Sequence, residues 1–275
     1  MATAFRPWFL VSCGLLLAAA CHGLQGCDAS ILLDPTPANP RPEKKGPPND
    51  GSQRSYEVID AAKAALEKSC PGAVSCADVV AFAARDASAL LSGGRISSFA
   101  MPAGRLDGRR SQEAQTSVLP PPFAGLDTLA ARFAAKGLGV EDLVVLSGAH
   151  SVGRSHCSSF VAERVASPSD MDAALVARLR RQCPAMGNDP VVAEDAVTPN
   201  KLDNQYYRNL LDRRVLFTSD AALMSSPQTA AMVRGFARPD GSWERKFAAA
   251  MVKLASIGVK TGRDGEIRKN CRVVN

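Results

Sequence analysis

In this 275-residue chain apolar residues return at three- and four-residue steps, while few runs alternate with period two. That pattern commits most of the ordered chain to short amphipathic helices and leaves little for a sheet. From Ser55 onward Val58, Ile59, Ala62, Ala65 and Leu66 mark one helical face, which Pro71-Gly72 stops. Ser75 then reads as the N-cap of a second, very apolar helix through Val79, Val80, Phe82 and Leu90, ended by Gly93-Gly94. Further helices are predicted over 126–136, 140–146, 155–166, 171–182, 204–213, 227–237 and 242–257. Residues 34–53, rich in Pro, Gly, Asn and Lys, read as a long surface loop, 95–125 as an irregular connection and 184–203 as loop. There is no internal repeat. The expected class is mainly α.

A hydrophobic content of 46 % with 22 % charged residues suits a globular protein with a sizeable core. Aromatic residues, at 5 %, are too few for a nucleic-acid stacking platform. The net charge of +6 is scattered without a dense Lys/Arg run. It therefore reads as a solvated basic surface rather than a nucleic-acid site, and such a surface also suits an acidic cell-wall polymer. At the N-terminus Arg6 precedes a nearly all-apolar stretch from Phe9 to Ala20, followed by Cys21-His22-Gly23. This is the pattern of a secretory signal over 1–23, with an apolar run too short to span a bilayer. The mature chain, 24–275, is long enough for one large domain or two small ones and is expected to be a soluble, secreted monomer without a membrane span.

Eight cysteines stand at 13, 21, 27, 70, 76, 157, 183 and 271. Six follow the signal, in a compartment where disulfides persist. None form a CxxC pair or a zinc spacing, and position alone selects no connectivity. Of three histidines, one lies in the signal. His150 follows the 140–146 helix and a Ser-Gly step that lets the backbone approach something closely; read alone, a histidine there is most often structural.

Its neighbours change that reading. The segment Asp142-Leu143-Val144-Val145-Leu146-Ser147-Gly148-Ala149-His150-Ser151-Val152-Gly153 resembles the proximal haem signature of the plant-type (class III) secretory peroxidases. Gly26-Cys27-Asp28-Ala29-Ser30-Ile31-Leu32-Leu33 resembles the second half of that family's distal motif. Val74-Ser75-Cys76-Ala77-Asp78, Leu119-Pro120-Pro121-Pro122-Phe123, Leu202-Asp203-Asn204-Gln205-Tyr206-Tyr207 and a C-terminal Ile267-Arg268-Lys269-Asn270-Cys271 follow in family order, so the resemblance covers the chain from Gly26 to its end.

The resemblance implies a multi-helix haem peroxidase fold with haem b as cofactor, and hydrogen peroxide and small phenolic donors as substrates, in the apoplast or vacuole. It makes His150 the axial iron ligand and Asp220, otherwise a plausible helix N-cap, the acceptor for the ligand's other nitrogen. It places His156 near a haem propionate, where the plainer reading is a surface histidine. It implies two calcium sites built from mixed oxygen donors. The distal one would use Gly26, Asp28 and Ser30; the proximal one Ser151, Asp195, Thr198, the Lys201 carbonyl and Asp203. Pro120 matches a residue whose carbonyl helps bind aromatic donors. The family's disulfides map to Cys76–Cys271 and Cys157–Cys183, the first closing a long loop worth on the order of 4 kcal/mol.

One part of the family pattern is not matched. The family places Arg-x-x-x-His-Asp-Cys before Gly-Cys-Asp-Ala-Ser, so that the histidine moves peroxide's proton and the arginine stabilises developing charge. The corresponding residues here are Leu16-Leu17-Ala18-Ala19-Ala20-Cys21-His22-Gly23-Leu24-Gln25. His22 stands five residues before Cys27, where the family has seven, and no arginine precedes it at the needed distance. The expected fold is therefore a peroxidase with its distal part truncated, impaired in peroxide activation; the rival reading is a non-catalytic haem- or calcium-binding protein on the same scaffold. Cys27 and Cys70 match positions whose partners lie in the unmatched stretch. They are thus expected to be orphaned, pairing with each other or with Cys21, or staying free.

Overall fold

A computed structural model describes residues 27–167, 169–184 and 188–275. The signal over 1–23, His22 and Gly26 lie outside the described residues. The chain divides into two compact units, one comprising residues up to Leu119 together with Met251–Asn275, the other Pro120–Ala250. The mainly helical class holds in both, and among the described residues no helix is long and apolar enough to cross a membrane.

In the first unit α1 (Tyr56–Ser69) and α2 (Cys76–Leu91) follow the predicted periodicity. Ser75 caps α2 as expected: its Oγ accepts the Asp78 N–H at 3.0 Å. Val79, Val80, Ala84 and Ala87 form the buried face of α2. Past its end, Gly93 and Gly94 take left-handed backbone (φ 63° and 81°) that side-chain-bearing residues resist. A buried carboxylate does the rest at the N-terminus: Asp107 accepts the N–H groups of Cys76 (3.1 Å), Ala77 (2.8 Å) and Arg268 (2.9 Å). The fully buried Arg268 donates to the carbonyls of Ala29 (2.7 Å) and Cys271 (2.8 Å), which locks the C-terminal segment onto the start of the unit. The Cys76–Cys271 disulfide adds a covalent link at the same place.

The loop read over 34–53 is present but only partly superficial. A short 3₁₀ turn, Glu43–Lys45, tucks Glu43 inside, and Asn49 is buried beside it with its side-chain amide on the Glu43 carbonyl at 2.9 Å.

The second unit holds α3 (Leu126–Ala134), α4 (Val140–Ser147), α5 (Ala173–Gln182), α6 (Gln205–Leu211), α7 (Thr218–Ala221) and α8 (Pro227–Phe236), and α9 (Ser242–Leu254) begins in it. Two expectations need correction. The stretch 155–166 is not one helix: it contains strand β1 (Arg154–His156), a 3₁₀ turn (Cys157–Ser159) and a π-helical turn (Ala162–Ala166). The supposed loop 184–203 contributes β2 (Val191–Ala193), antiparallel to β1 in the register Arg154↔Ala193, Ser155↔Val192, His156↔Val191. Three-residue strands are too short for alternation to show in a sequence. The second disulfide, Cys157–Cys183, is buried among Phe160, Val165, Leu175, Leu179 and Leu216.

Candidate functional site

The site is built on the end of α4. Leu143, Val144, Val145 and Leu146 are buried, so the helix is held by its apolar face, and its first turn is closed by Asp142 accepting the Gly139 N–H at 2.9 Å. A helix end leaves carbonyls without intrahelical partners. Here aromatic side chains supply them: Tyr207 donates its hydroxyl to Val144 O (2.9 Å) and Val145 O (3.2 Å), and Trp243 Nε1 donates to Val145 O (3.1 Å). That approach requires Gly148, because a Cβ there would lie 2.7 Å from both Trp243 Nε1 and the Tyr207 hydroxyl. The chain then turns through a 3₁₀ segment, Gly148–Ser151, which carries His150.

The imidazole is fixed from two sides. Its Nδ1 lies 2.8 Å from Asp220 Oδ1, on the four-residue helix α7. The same oxygen accepts the Tyr206 hydroxyl at 2.7 Å. Tyr206 and Phe217 meet the ring edge-on, with centroids at 6.1 and 5.4 Å. Burial raises the Tyr206 phenol well above its ordinary value, so it stays a donor to Asp220. Asp220 is 4 % exposed and does not cap α7; its Oδ1 serves both His150 and Tyr206. Burial pulls the His150 pKa down, but the carboxylates of Asp220 and Glu194 and the Asp220 hydrogen bond outweigh it and hold the pKa at about 9. With Nδ1 committed to Asp220, Nε2 is the nitrogen left for a ligand, and the side chain keeps 32 % of its surface exposed.

A family model described as Peroxidase matches residues 5–239. The chain is 58 % identical over 256 residues to "Peroxidase 2" of Zea mays, covering 92 % of this chain and 76 % of that protein. It is 48 % identical over 265 residues to "Peroxidase 1" of Zea mays (92 % and 71 %) and 42 % over 255 residues to the "Lignin-forming anionic peroxidase" of Nicotiana sylvestris (92 % and 78 %). The chain belongs to the plant secretory haem peroxidase family. Haem is that family's cofactor, and the residues present fit it: a histidine with one nitrogen anchored on a buried carboxylate and the other uncommitted is the donor that haem iron takes.

The other residues named from the sequence are placed as follows. Asp195, 1 % exposed, accepts the N–H groups of Val197 (2.6 Å) and Thr198 (3.0 Å). The Thr198 hydroxyl reaches Asp195 Oδ2 (3.3 Å) and Asp203 Oδ1 (3.1 Å), and Ser151 Oγ accepts the Asp203 N–H at 3.3 Å. The Lys201 N–H donates to the Thr198 carbonyl at 3.0 Å. Ser151, Asp195, Thr198 and Asp203 are thus gathered, one residue from His150. Among the described residues no group of three or more His, Cys, Asp or Glu side chains is gathered for a metal, so any ion here would rest on mixed oxygens.

In the first unit Asp28 Oδ1 accepts the Ser30 N–H at 3.1 Å, while Asp28 Oδ2 is buried with no partner among the described residues. The Ser30 hydroxyl lies 3.0 Å from both oxygens of Glu43. Burial, with Asp28 adding to it, pushes the Glu43 carboxyl up to about 7. Glu43 was hidden to sequence reading inside a Pro- and Lys-rich stretch that looks solvated.

Pro120 is partly buried, two residues before Pro122, whose carbonyl accepts the Ser219 N–H at 2.9 Å, and Phe123 beside it is 60 % exposed. His156 Nδ1 faces Asp189, at 3.2 Å from its carbonyl and 3.3 Å from Oδ2. Both family disulfides are formed. Of the alternatives left for Cys27 and Cys70, pairing with each other is excluded: Cys27 is disulfide-bonded, whereas Cys70 is a free thiol. The disulfides agree with an oxidising compartment.

Proposed function

We propose that this chain holds haem b on His150 Nε2 and oxidises small phenolic donors with hydrogen peroxide, in the apoplast or in the vacuole, as a monomer released by cleavage of the 1–23 signal. The observation that carries the reading is the Tyr206–Asp220–His150 hydrogen-bonded set in a chain of this family. When bound, haem supplies the redox chemistry, accepting oxidising equivalents from peroxide and passing them one at a time to donors. The protein's part is to fix the ligand. Asp220 keeps the proton on Nδ1 and makes Nε2 a stronger donor. Tyr206 holds the carboxylate in place, and Phe217 packs edge-on against the ring.

Calcium at Ser151, Asp195, Thr198, Lys201 O and Asp203 would brace the segment that carries His150. A second ion at Asp28 and Ser30, with Gly26, is a weaker reading because Ser30 is already engaged by Glu43. Pro120, three residues before exposed Phe123, would contribute an apolar ledge for aromatic donors, in keeping with the lignin-forming relative. The basic surface suits acidic cell-wall polymers.

Titration of the purified chain with haem, followed in the Soret band, tests the reading. A stoichiometric complex is expected for the native sequence. His150→Ala should weaken it by more than about 100-fold, because loss of even an outer hydrogen-bond partner costs a metal site about 10–100-fold. Equal affinity in the two proteins would place the ligand elsewhere.

The pH dependence has a definite sign. Iron takes the neutral imidazole, and the free histidine holds its proton up to about 9. Haem affinity should therefore rise about tenfold per pH unit up to that value and level off above it. The same shift stabilises the haem-free fold fully below the ordinary value of 6.5 and is lost as pH rises through about 9. An affinity flat across that window would remove His150 as the titrating ligand.

A further inference from the structure

We propose that Tyr206 is an internal electron donor to the haem site: it yields one electron when phenolic donors are scarce, and its phenolic proton passes to Asp220 Oδ1. The inference rests on the haem reading above.

The chain has three tyrosines, at 56, 206 and 207. A phenol gives up an electron readily only where its proton has an acceptor within hydrogen-bond reach, because the oxidised ring is a strong acid at oxygen. Among the described residues Tyr206 alone meets that condition: its hydroxyl donates to the carboxylate oxygen Asp220 Oδ1 at 2.7 Å. Tyr207 donates to the backbone carbonyls of Val144 and Val145, at 2.9 and 3.2 Å, and a carbonyl does not keep a proton. Tyr56, in the first unit, lies between two cations, with Lys44 Nζ 4.4 Å and the Arg272 guanidinium 4.9 Å from its ring centroid. A cation at the ring face is attracted to the neutral ring and opposes the loss of an electron from it.

Position singles out the same residue. The Tyr206 ring meets His150 edge-on with centroids 6.1 Å apart, so the electron crosses one contact to reach the ligand. Tyr206 is 2 % exposed, which keeps diffusing oxidants away from it. Behind it Tyr207 (5.1 Å) and then Trp243 (5.8 Å from Tyr207) continue the buried aromatic packing, and Trp243 Nε1 also donates to a backbone carbonyl. The missing electron therefore settles on Tyr206.

The step balances. The Tyr206 O–H bond breaks as an O–H bond forms on Asp220 Oδ1, and one electron passes by way of His150 to haem that peroxide has oxidised. Tyr206 is left as a neutral phenoxyl radical. A phenolic donor that returns the electron lets the proton go back. With no donor present, a second oxidising equivalent from peroxide and a water convert the ring to a catechol, with release of one further proton, and the Tyr206 side chain gains one oxygen.

The test is donor-free treatment of the haem-loaded full chain with hydrogen peroxide, followed by peptide mapping with mass spectrometry. The modification accumulates, so slow use of peroxide does not hide it. One added oxygen should be at least about tenfold more frequent at buried Tyr206 than at partly exposed Tyr56, the ratio that about 59 mV between two one-electron donors sets. The haem-free chain should lack this preference, and an added phenol should suppress it. Tyr206→Phe keeps the ring and removes the phenol; its Soret band should bleach faster under peroxide, because the equivalent that Tyr206 drew off is then spent on the haem. Oxidation of Tyr56 as often as Tyr206, bleaching of the haem with Tyr206 intact, or bleaching of Tyr206→Phe at the native rate would each overturn the proposal while the haem reading stands. If the native chain gives no histidine-ligated haem spectrum, or its complex consumes no peroxide, the haem reading fails and takes this proposal with it.

Discussion

Haem-loaded protein of this sequence, mixed rapidly with hydrogen peroxide, should convert its Soret band at least about 10²–10⁴-fold more slowly than a family member that carries Arg-x-x-x-His-Asp-Cys. The lower bound is the rate a positioned general acid–base group contributes. Peroxide must lose a proton from one oxygen and regain it on the other as the bond between them breaks. A histidine held within hydrogen-bond reach of both oxygens does this, and an arginine stabilises the charge that develops; removing a charge-stabilising donor alone costs about 10²–10³.

In this sequence the segment that should precede Gly26-Cys27-Asp28 carries neither residue at the family spacing. Downstream, the register is fixed: the Cys27 N–H donates to the Ile257 carbonyl at 2.9 Å and the Asp28 carbonyl accepts the Gly108 N–H at 2.8 Å. Sliding this strand of chain by two residues, to bring His22 to the family distance, would break both bonds and withdraw Asp28 from its buried seat. Stopped-flow spectra give the rate directly. Conversion as fast as in a complete family member would mean that another side chain moves the proton, and the predicted impairment would be wrong.

The His150 half of the candidate site was legible because it is written in local motifs. Ser-Gly-Ala-His carries the proposed ligand and the glycine that the Tyr207 and Trp243 side chains need, and Asp220 follows by position. Helices with a clear apolar face, α1 and α2 above all, were read within a few residues. What escaped depends on tertiary approach. Tyr206 as the second donor to Asp220 and Glu43 beside Ser30 are polar residues whose burial leaves no periodic trace. The buried Asp107–Arg268 system joins residues 161 apart and is invisible to any local pattern. The β1–β2 pair was missed because three residues cannot display a period of two.

That Asp107–Arg268 system bears on the largest expected stability effect, loss of the Cys76–Cys271 disulfide. Replacing both cysteines by serine should destabilise the chain by about 5 kcal/mol, against about 3.5 kcal/mol for Cys157 and Cys183, on loop-closure entropy alone. The two bridges span 195 and 26 residues, which is where the difference arises. A domain's whole margin is about 5–15 kcal/mol, so the longer bridge is a large part of it.

Local structure widens the gap. Cys76 and Cys271 sit at the two ends of the network in which Asp107 accepts the Cys76, Ala77 and Arg268 N–H groups and Arg268 donates to the Cys271 carbonyl. Freed from the bridge, the C-terminal segment pulls away most easily at Cys271, and each departure strands a buried charge without its partner. Urea unfolding of the two double variants, in the same haem state as the native chain, measures both losses. The Cys76/Cys271 pair should have the lower midpoint. The reverse order would mean that the short bridge within the Phe160–Leu179 core matters more than loop length, and that the Asp107–Arg268 network holds the C-terminus without covalent help.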